Sequence, residues 1–314
     1  MKAFILAAGY GERLRPVTDE IPKPLVPVVN VPAICYALML CAEAGIREVV
    51  VNLHYRPDEI RKYFDENARF GMEVHFSYEE TILGTGGGVK KCADILAGGD
   101  FVLLNGDVIT DVQLADIIAR HRTLGAEGTV MLADGSEQGV PGDAGTDGTR
   151  VVDFRNFLET GERGPLVNTG LAVLSPRVLE FCTAGFSSIV YTAYVALIRR
   201  RTLHYYEHTG LWRDIGSVSS YLSAGMALMG GKSGLEARMY RALGITMHDV
   251  SGDTRIGPGA DIRDSVIGSG AEIGAGALVE RSVVLPGGRV PAGDRVSGAV
   301  VTRDRVLAAG VDIK

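Results

Sequence analysis

The last third of this 314-residue chain carries apolar residues with a period of 17 residues, a feature that limits the possible folds severely. Three apolar positions recur in each period, with glycines between them. The nine positions are Ile256, Ile262, Ile267, Ile273, Val279, Val284, Val290, Val296 and Val301. A helix cannot keep this register, whereas short parallel strands joined by tight corners can. The pattern therefore predicts a triangular solenoid, with an incomplete earlier coil that includes Ile245 and Val250.

The first two thirds of the chain alternate short β-branched runs with amphipathic stretches. This alternation predicts βαβ units and a Rossmann-like α/β fold with a mixed, mainly parallel sheet. The predicted strands cover residues 2–6, 49–53, 74–78, 101–104, 129–132, 151–154 and 167–174. The predicted helices are 33–44, one that begins at Pro57, one capped by Asp111 that runs to His121, one opened by Ser175-Pro176, and 217–229.

Two segments interrupt this alternation. Residues 133–150 are rich in Gly, Asp, Ser and Thr, which predicts a long loop, and such loops inside compact domains usually serve a site or are disordered. Gly230-Gly231 follows the helix predicted at 217–229, and we interpret it as a hinge. The sequence therefore predicts two domains, residues 1–231 and residues 232–314.

The composition excludes several classes of partner. A formal net charge of -6 argues against a general affinity for nucleic acid or for an anionic membrane surface. No apolar run approaches the roughly 20 residues of a membrane span, and the first eight residues lack a signal-peptide cleavage region. The four cysteines are scattered, which predicts buried, inert thiols rather than a zinc site or a disulfide framework. These features predict a cytoplasmic protein.

A glycine-rich turn with two cations follows the first predicted strand. It runs Leu6-Ala7-Ala8-Gly9-Tyr10-Gly11-Glu12-Arg13-Leu14-Arg15-Pro16 and is followed by Pro22-Lys23-Pro24. Glycines let backbone N–H groups approach a phosphate chain, and Arg13 and Lys23 add the positive charge that a triphosphate needs. The turn lacks the Gly-Lys-Ser/Thr of a Walker A loop, and Leu14 stands where a dinucleotide fingerprint has its third glycine.

With these residues the chain resembles the sugar-1-phosphate nucleotidyltransferase family, whose N-terminal signature is G-x-G-x-R-L-x-P-x-T followed by P-K-P. The later landmarks occur in the family's order. They are Leu83-Gly84-Thr85, Gly106-Asp107, Asn168 with Gly170, and Trp212-Arg213-Asp214-Ile215-Gly216. The resemblance implies a GT-A-like catalytic domain followed by a short left-handed parallel β-helix.

The resemblance also implies a reaction between a nucleoside triphosphate and a sugar 1-phosphate that yields an NDP-sugar and pyrophosphate. Arg13 and Lys23 would hold the phosphates, and Asp107 and Asp214 would hold Mg²⁺, which takes hard oxygen ligands. Asp107 follows a strand end, where open α/β sheets place their ligands. Arg13, Lys23 and Asp107 are the predicted catalytic residues. The predicted nucleotide-binding residues are Leu6, Ala7, Ala8, Gly9, Gly11, Glu79, Gly84 and Thr85.

Glu79 lies five residues before Gly84, at a position where family members that use dTTP or UTP tend to carry glutamine. A carboxylate only accepts hydrogen bonds, so it suits the two adjacent donors of guanine and repels thymine. This favours GTP, with mannose 1-phosphate as the commonest sugar among family members that use GTP. Glu80 is an alternative reader of the base. A glucose-1-phosphate thymidylyltransferase and a heptose-1-phosphate guanylyltransferase remain alternatives.

For the sugar, the resemblance implies contacts from Asp111, Gly139, Asn168, Gly170 and Trp212. The chain departs from the family after residue 154. Many members have Glu-Lys-Pro there, whose lysine meets the sugar phosphate, and this chain has Asn156-Phe157-Leu158. Arg155 or Arg163 could replace that lysine.

Two hypotheses of other classes stand beside the transferase. A catalytically silent subunit that binds an NDP-sugar and regulates a partner fits the missing Glu-Lys pair but not the intact Arg13, Lys23, Asp107 and Asp214. An acyltransferase activity of the solenoid would need a histidine base, and the last histidine, His248, precedes the repeats. Because three coils have exposed ends, we expect them to pack against another subunit in a homo-oligomer, a dimer or a tetramer.

Overall fold

A computed structural model describes residues 1–136, 139–229 and 233–308. Its strands, numbered in chain order, are β1 (Lys2–Leu6), β2 (Pro27–Val28), β3 (Val31–Pro32), β4 (Glu48–Leu53), β5 (Glu73–Tyr78), β6 (Phe101–Asn105), β7 (Val108–Thr110), β8 (Gly128–Asp134), β9 (Ala144–Thr146), β10 (Val151–Phe154), β11 (Leu166–Leu174), β12 (Leu203–His208), β13 (Trp212–Asp214), β14 (Arg255–Ile256), β15 (Asp261–Arg263), β16 (Val266–Ile267), β17 (Glu272–Ile273), β18 (Leu278–Glu280), β19 (Val283–Val284), β20 (Arg289–Val290), β21 (Arg295–Ser297), β22 (Ala299–Val301) and β23 (Val306–Ala308).

The helices are α1 (Val17–Glu20), α2 (Ile34–Glu43), α3 (Pro57–Glu66), α4 (Gly84–Lys91), α5 (Ala93–Leu96), α6 (Leu114–Leu124), α7 (Val178–Phe181), α8 (Val195–Arg199), α9 (Val218–Leu228) and α10 (Leu235–Leu243). Short 3-10 turns cover Glu12–Leu14, Lys23–Leu25 and Ala68–Gly71, and a π-helical turn covers Val190–Tyr194. No helix in the described ranges is long and apolar enough to cross a membrane.

Seven strands form one sheet in the order β12-β8-β11-β6-β1-β4-β5. β11 is antiparallel to both of its neighbours, and every other neighbouring pair is parallel. The predicted mixed, mainly parallel sheet is therefore confirmed. The carboxyl ends of β1, β4, β5 and β6 lie at one edge, where open α/β sheets gather their binding loops.

Six of the predicted strands, 2–6, 49–53, 74–78, 101–104, 129–132 and 167–174, lie within one or two residues of the observed bounds in this sheet. The strand predicted at 151–154 is β10, which lies outside this sheet, and β12 was not predicted from the sequence. Two expectations fail nearby. Residues 133–150 are not a plain loop, because β8 extends to Asp134 and β9 pairs antiparallel with β10. Asp111 does not cap a helix, because α6 begins at Leu114 and its N-cap is Gln113. The Asp111 carboxylate instead lies 2.9 Å from His208 Nε2.

The chain separates into two compact units. The first unit consists of Met1–Gly9 with Ala37–Trp212 and holds the seven-stranded sheet. The second unit consists of Tyr10–Tyr36 with Arg213–Lys314 and holds the solenoid. The hinge expected at Gly230-Gly231 lies outside the described residues, so a domain boundary between residues 231 and 232 stays a prediction.

The solenoid of the second unit has three faces of parallel strands, β14-β17-β20, β15-β18-β21 and β16-β19-β22. In the parallel pairs of these faces each residue is 17 positions from its partner, for example Ile256 with Ile273 and Ile273 with Val290. The 17-residue register is therefore confirmed. Val250 bridges to Ile267 at the same offset, as expected of an earlier coil, while Ile245 lies in an irregular stretch.

Glycine is required where stacked coils come close together. A Cβ on Gly274 would lie 2.3 Å from the backbone nitrogen of Ala292 in the next coil. The third face ends differently, because β23 turns back and pairs antiparallel with β22. The N-terminal segment of the same unit packs on the solenoid, where Asn30 Nδ2 donates to the carbonyls of His248 (2.7 Å) and Ile267 (2.9 Å).

Helix α9 shows why a local signal sufficed for its prediction. Ser217 and Ser220 form a reciprocal capping box, with Ser220 N donating to Ser217 Oγ and Ser217 N donating to Ser220 Oγ.

All four cysteines are buried, as expected. Burial raises the pKa of Cys41 to about 12 and that of Cys182 to about 11, so neither thiol forms a thiolate readily near neutral pH.

Candidate active site

The end of β1 leads into the glycine-rich turn, and its first residues are fixed by the first unit. Ala7 and Ala8 are buried, and Ala7 N donates to Asn52 Oδ1 at 2.8 Å. At Gly9 no heavy atom lies within 4 Å of the place where a Cβ would stand. The chain therefore leaves a packed strand end and opens at Gly9, which is what a loop that receives phosphates requires.

Asp107 lies beside this strand end. Leu6 pairs with Asn105 in the parallel register of β1 and β6, and Gly106 N donates to the Leu6 carbonyl at 2.9 Å. A Cβ on Gly106 would lie only 2.9 Å from that carbonyl, so glycine is needed before the aspartate. The sheet thus places Asp107 at its binding edge, next to the start of the turn.

In the second unit, Gly11 organises the rest of the turn. Its backbone is left-handed (φ +68°), and a Cβ there would lie 2.6 Å from Thr18 Cγ2 and 3.3 Å from Lys23 Cβ. Thr18 is fully buried, and its hydroxyl donates to the Gly11 carbonyl at 2.9 Å. Gly11 therefore brings the Lys23 backbone up to the turn, and Thr18 fixes the arrangement.

Arg13 and Asp214 meet at Gly216, also in the second unit. A Cβ on Gly216 would stand 2.7 Å from Asp214 Oδ2 and 2.8 Å from Arg13 Nη2. Arg13 of the N-terminal turn and Asp214 at the end of β13, which are far apart in the sequence, are thus neighbours. Asp107 belongs to the first unit, so the convergence of all four side chains on one triphosphate stays a prediction.

Of the two candidate base readers, Glu79 is buried and Glu80 is exposed. The Glu79 carboxylate accepts from Asn52 Nδ2 and from Leu83 N, each at 2.8 Å. Gly84 and Thr85, which are also predicted nucleotide-binding residues, contact the segment 187–189. A Cβ on Gly84 would lie 2.6 Å from the Ser187 carbonyl, and Thr85 Oγ1 accepts from Ile189 N at 2.9 Å.

Asn168 and Gly170 lie on a bulge of β11 in the first unit. Asn168 Oδ1 accepts from Gly170 N at 3.2 Å. Gly170 has φ +80°, and a Cβ there would lie 2.2 Å from Asn105 Nδ2. The bulge therefore brings the predicted sugar residues against the end of β6, two residues before Asp107.

The other predicted sugar residues are less closely grouped. Asp111 is beside His208, and a Cβ on Gly210 would approach its carboxylate to 2.4 Å. Trp212 is 6% exposed. Gly139 N donates to the Ser136 carbonyl at 3.0 Å, and no heavy atom lies within 4 Å of the place where its Cβ would stand. The contacts of Asp111, Trp212 and Gly139 with a sugar stay predictions.

Sequence reasoning missed Asn52 and Asp143. Asp143 accepts from Asn168 N (3.0 Å) through Oδ1 and from Arg155 Nε (3.2 Å) through Oδ2. The hydrogen bond with Asp143 raises the pKa of the Arg155 guanidinium. Nothing marks Asp143 within a Gly- and Asp-rich stretch, whereas a polar Asn52 that ends an apolar strand is a signal that could have been used.

The described ranges contain no group of three or more His, Cys, Asp and Glu side chains that could hold a metal ion. A mixed, mainly parallel α/β sheet followed in the chain by a parallel β-helix defines the class of protein. A family model described as nucleotidyl transferase matches residues 2–230, and one described as GlmU-like, C-terminal hexapeptide matches residues 241–314. The chain belongs to the nucleotidyl transferase family, and its solenoid is a left-handed β-helix.

Two relatives illustrate the likeness. The mannose-1-phosphate guanyltransferase of Gibberella zeae is 34% identical over 233 residues, which cover 71% of this chain and 63% of the relative. The mannose-1-phosphate guanyltransferase of Schizosaccharomyces pombe is 32% identical over 277 residues, which cover 83% of this chain and 73% of the relative. This chain thus spans less than two thirds of the length of the first relative.

Solved structures share the fold. A UDP-glucose pyrophosphorylase complexed with UDP-glucose matches with a TM-score of 0.61 at 22% identity, over 72% of this chain and 97% of that chain. HddC from Yersinia pseudotuberculosis matches with a TM-score of 0.59 at 21% identity, over 72% of this chain and 98% of that chain. The family generally uses a divalent metal ion.

Proposed function

We propose that this protein transfers the guanylyl group of GTP to mannose 1-phosphate and releases pyrophosphate. The observation that carries the proposal is the meeting of Arg13 and Asp214 at Gly216, in the unit where Gly11 holds Lys23. Cations and a carboxylate so placed suit a triphosphate and its metal ion. The names of relatives at 32–34% identity support the choice of nucleotide and sugar.

In the proposed reaction a phosphate oxygen of the sugar 1-phosphate attacks the α-phosphorus of GTP in line. The new P–O bond forms as the bond to the β-phosphate oxygen breaks, and pyrophosphate leaves with that electron pair. The attacking oxygen is already negative near pH 7, so no general base is needed. Arg13, Lys23 and the N–H groups of the turn neutralise the negative charge on the oxygens of the α-phosphoryl group and on the departing pyrophosphate.

Mg²⁺ is the proposed metal, with Asp107 and Asp214 as its protein ligands. Two carboxylates fit this ion, because Mg²⁺ bound to substrate phosphates takes one or two carboxylates and keeps several waters. When bound, the ion would supply further neutralisation of the phosphates. The position of Asp107 after β6 and of Asp214 beside Arg13 supports this assignment.

Pyrophosphate release tests the function. GTP, mannose 1-phosphate and Mg²⁺ with the purified protein are expected to release pyrophosphate faster than any other pair from five nucleoside triphosphates and a set of hexose and heptose 1-phosphates. A preference for dTTP with glucose 1-phosphate, or for GTP with a heptose 1-phosphate, would replace the proposed substrates. If no pair of substrates leads to pyrophosphate release and the protein nevertheless binds an NDP-sugar, the result would favour the catalytically silent regulatory subunit instead.

Gly216→Ala is expected to lower kcat/KM by about tenfold or more while it changes Tm by no more than about 3 °C. The new Cβ would collide with Asp214 Oδ2 and Arg13 Nη2, which are ends of flexible side chains and can move away. The fold survives, but both functional groups shift. Gly252→Ala is the control, because no heavy atom lies within 4 Å of its Cβ position. Unchanged activity in Gly216→Ala would argue against a role for this pair.

Arg155→Ala is expected to raise the KM for the sugar 1-phosphate by about tenfold and to leave the KM for GTP nearly unchanged, since one charged hydrogen bond is lost. Asp143 joins Arg155 to Asn168, which supports Arg155 as the replacement for the family's lysine. Arg163→Ala is the comparison variant, because Arg163 is the other candidate and is exposed like Arg155, and we expect it to leave the KM for the sugar 1-phosphate nearly unchanged. Steady-state kinetics with each substrate varied in turn decide between them.

The proposal extends to assembly, location and domains. Ile256 on the first coil is 50% exposed, which supports packing against another subunit in a homo-oligomer, a dimer or a tetramer. The buried thiols support a reducing cytoplasm. The nucleotidyl transferase match ends at residue 230 and the hexapeptide match begins at residue 241. This supports two domains, residues 1–231 and residues 232–314. Light scattering on the purified chain measures the subunit count.

A further inference from the structure

A buried polar relay connects two loops at the binding edge of the first unit. Asn52 lies near the end of β4, between β1 and β5 in the sheet. Its Oδ1 accepts from Ala7 N, and its Nδ2 donates to Glu79 Oε1, each at 2.8 Å. Glu79 Oε2 in turn accepts from Leu83 N at 2.8 Å. The relay thus runs from the start of the glycine-rich turn, after β1, to the loop that precedes α4.

The relay has little freedom to rearrange. Asn52 is 2% exposed and Glu79 is 4% exposed, so water does not readily replace either partner. Helix α4 closes the remaining side, because a Cβ on Gly88 would lie 3.0 Å from Glu79 Oε1 and 3.1 Å from Asn52 Nδ2. The backbone of α4 therefore packs directly against the Asn52–Glu79 hydrogen bond.

Only asparagine fits this position in length and in hydrogen bonding. One neighbour of its side chain is a donor and the other is a carboxylate, so the side chain must accept on one side and donate on the other. Aspartate has the right shape but cannot donate. Glutamine can do both but is one methylene longer, and the packing around Gly88 leaves no room for it.

We propose that Asn52 is a positioning residue that sets the nucleotide preference of this protein by holding the Glu79 carboxylate and the Ala7 amide in one fixed arrangement. This inference rests on the proposed function and on the prediction from the sequence that Glu79 reads the base and that the turn after Ala7 holds the phosphates. Asn52 itself touches neither. Because it holds both loops, a change at Asn52 disturbs base discrimination and the binding of the nucleotide together.

An exchange of groups across the hydrogen bond tests the relay. Asn52→Asp puts two carboxylates face to face and removes the donor. Asn52→Asp with Glu79→Gln restores every hydrogen bond with the donor on the other side, since the introduced glutamine can donate to the introduced carboxylate and still accept from Leu83 N. Asn67→Asp is the control, because Asn67 is an exposed asparagine at the end of α3 whose amide donates to its own helix.

We expect Asn52→Asp to raise the KM for GTP at least tenfold, to narrow the ratio of kcat/KM between GTP and UTP, and to lower Tm. The double variant should recover the wild-type Tm, while its ratio shifts toward UTP because residue 79 has lost its carboxylate. A normal ratio and a normal KM in Asn52→Asp, with only Tm reduced, would overturn the proposal, as would a double variant no more stable than the single one.

The wild-type protein separates this result from the proposed function. If it prefers another nucleotide, the same ratio is measured with that nucleotide against GTP, and the relay is tested unchanged. If it releases no pyrophosphate, the proposed function fails alone, and the rise in Tm caused by GTP or by UTP replaces the kinetic ratio. Loss of that ligand discrimination in Asn52→Asp would still support the relay, and its retention would still overturn it.

Discussion

Asp107→Asn is expected to reduce turnover by about 10³-fold or more and to remove the response of the remaining activity to Mg²⁺. The amide keeps the size of the side chain but loses the charge, and a metal ion contributes several kcal/mol to stabilising phosphoryl charge. The hydrogen bond from Gly106 N to the Leu6 carbonyl, at 2.9 Å, fixes the backbone beside Asp107 at the end of β6. Pyrophosphate release measured across a Mg²⁺ titration checks this expectation.

The matched control is Asp116→Asn, the same chemical change at an exposed position in the first turn of α6. It should leave both turnover and the Mg²⁺ response at wild-type levels. A near-normal Mg²⁺ curve in Asp107→Asn would mean that the metal is held elsewhere, and the assignment of Asp107 as a ligand would have to be abandoned.

Lys23→Ala is expected to lower kcat by about 10²- to 10³-fold while the Kd for GTP rises only a few fold. The charge on the phosphates grows as the α-phosphorus becomes pentavalent and pyrophosphate departs, so a cation there acts more strongly on the transition state than on bound GTP. Gly11 brings Lys23 to the turn, which is the position that this role needs. Single-turnover kinetics and direct binding of GTP measure the two effects separately.

Lys62→Ala serves as the control, because Lys62 is an exposed lysine on α3 whose side chain pairs with the neighbouring Glu66. Its removal should change neither quantity. The opposite pattern in Lys23→Ala, in which GTP binding weakens a hundredfold and single-turnover chemistry at saturation is normal, would show that Lys23 binds the ground state and does not stabilise the transition state.

The solenoid and the main sheet could be predicted because their signals repeat or are local. The apolar positions from Ile256 to Val301 recur at a fixed spacing, and only stacked strands put residues 17 apart side by side. The strands of the sheet are short β-branched runs, and the helix from Ser217 carries its own capping signal. In each case the residues that decide the structure are close in the sequence or regularly spaced.

Contacts between distant segments could not be predicted in this way. Asp111 has the sequence context of a helix cap, but a histidine 97 positions later takes its carboxylate. The sequence of residues 144–146 is typical of a loop, but in the structure these residues form a strand because Val151–Phe154 pairs with them. The site has the same limit, since a single sequence identifies Glu79 as a candidate reader but not that Asn52 and Leu83 N hold its two oxygens.

The reversed last strand of the solenoid has a consequence for growth of the protein into fibres. A stack of parallel coils could in principle continue into the next molecule, end to end, as a filament. On the third face β23 covers the outer edge of β22 with a strand of opposite direction, so an incoming coil cannot add there in register. Within the described residues the third face is closed in this way, and unlimited head-to-tail polymerisation through all three faces is therefore disfavoured.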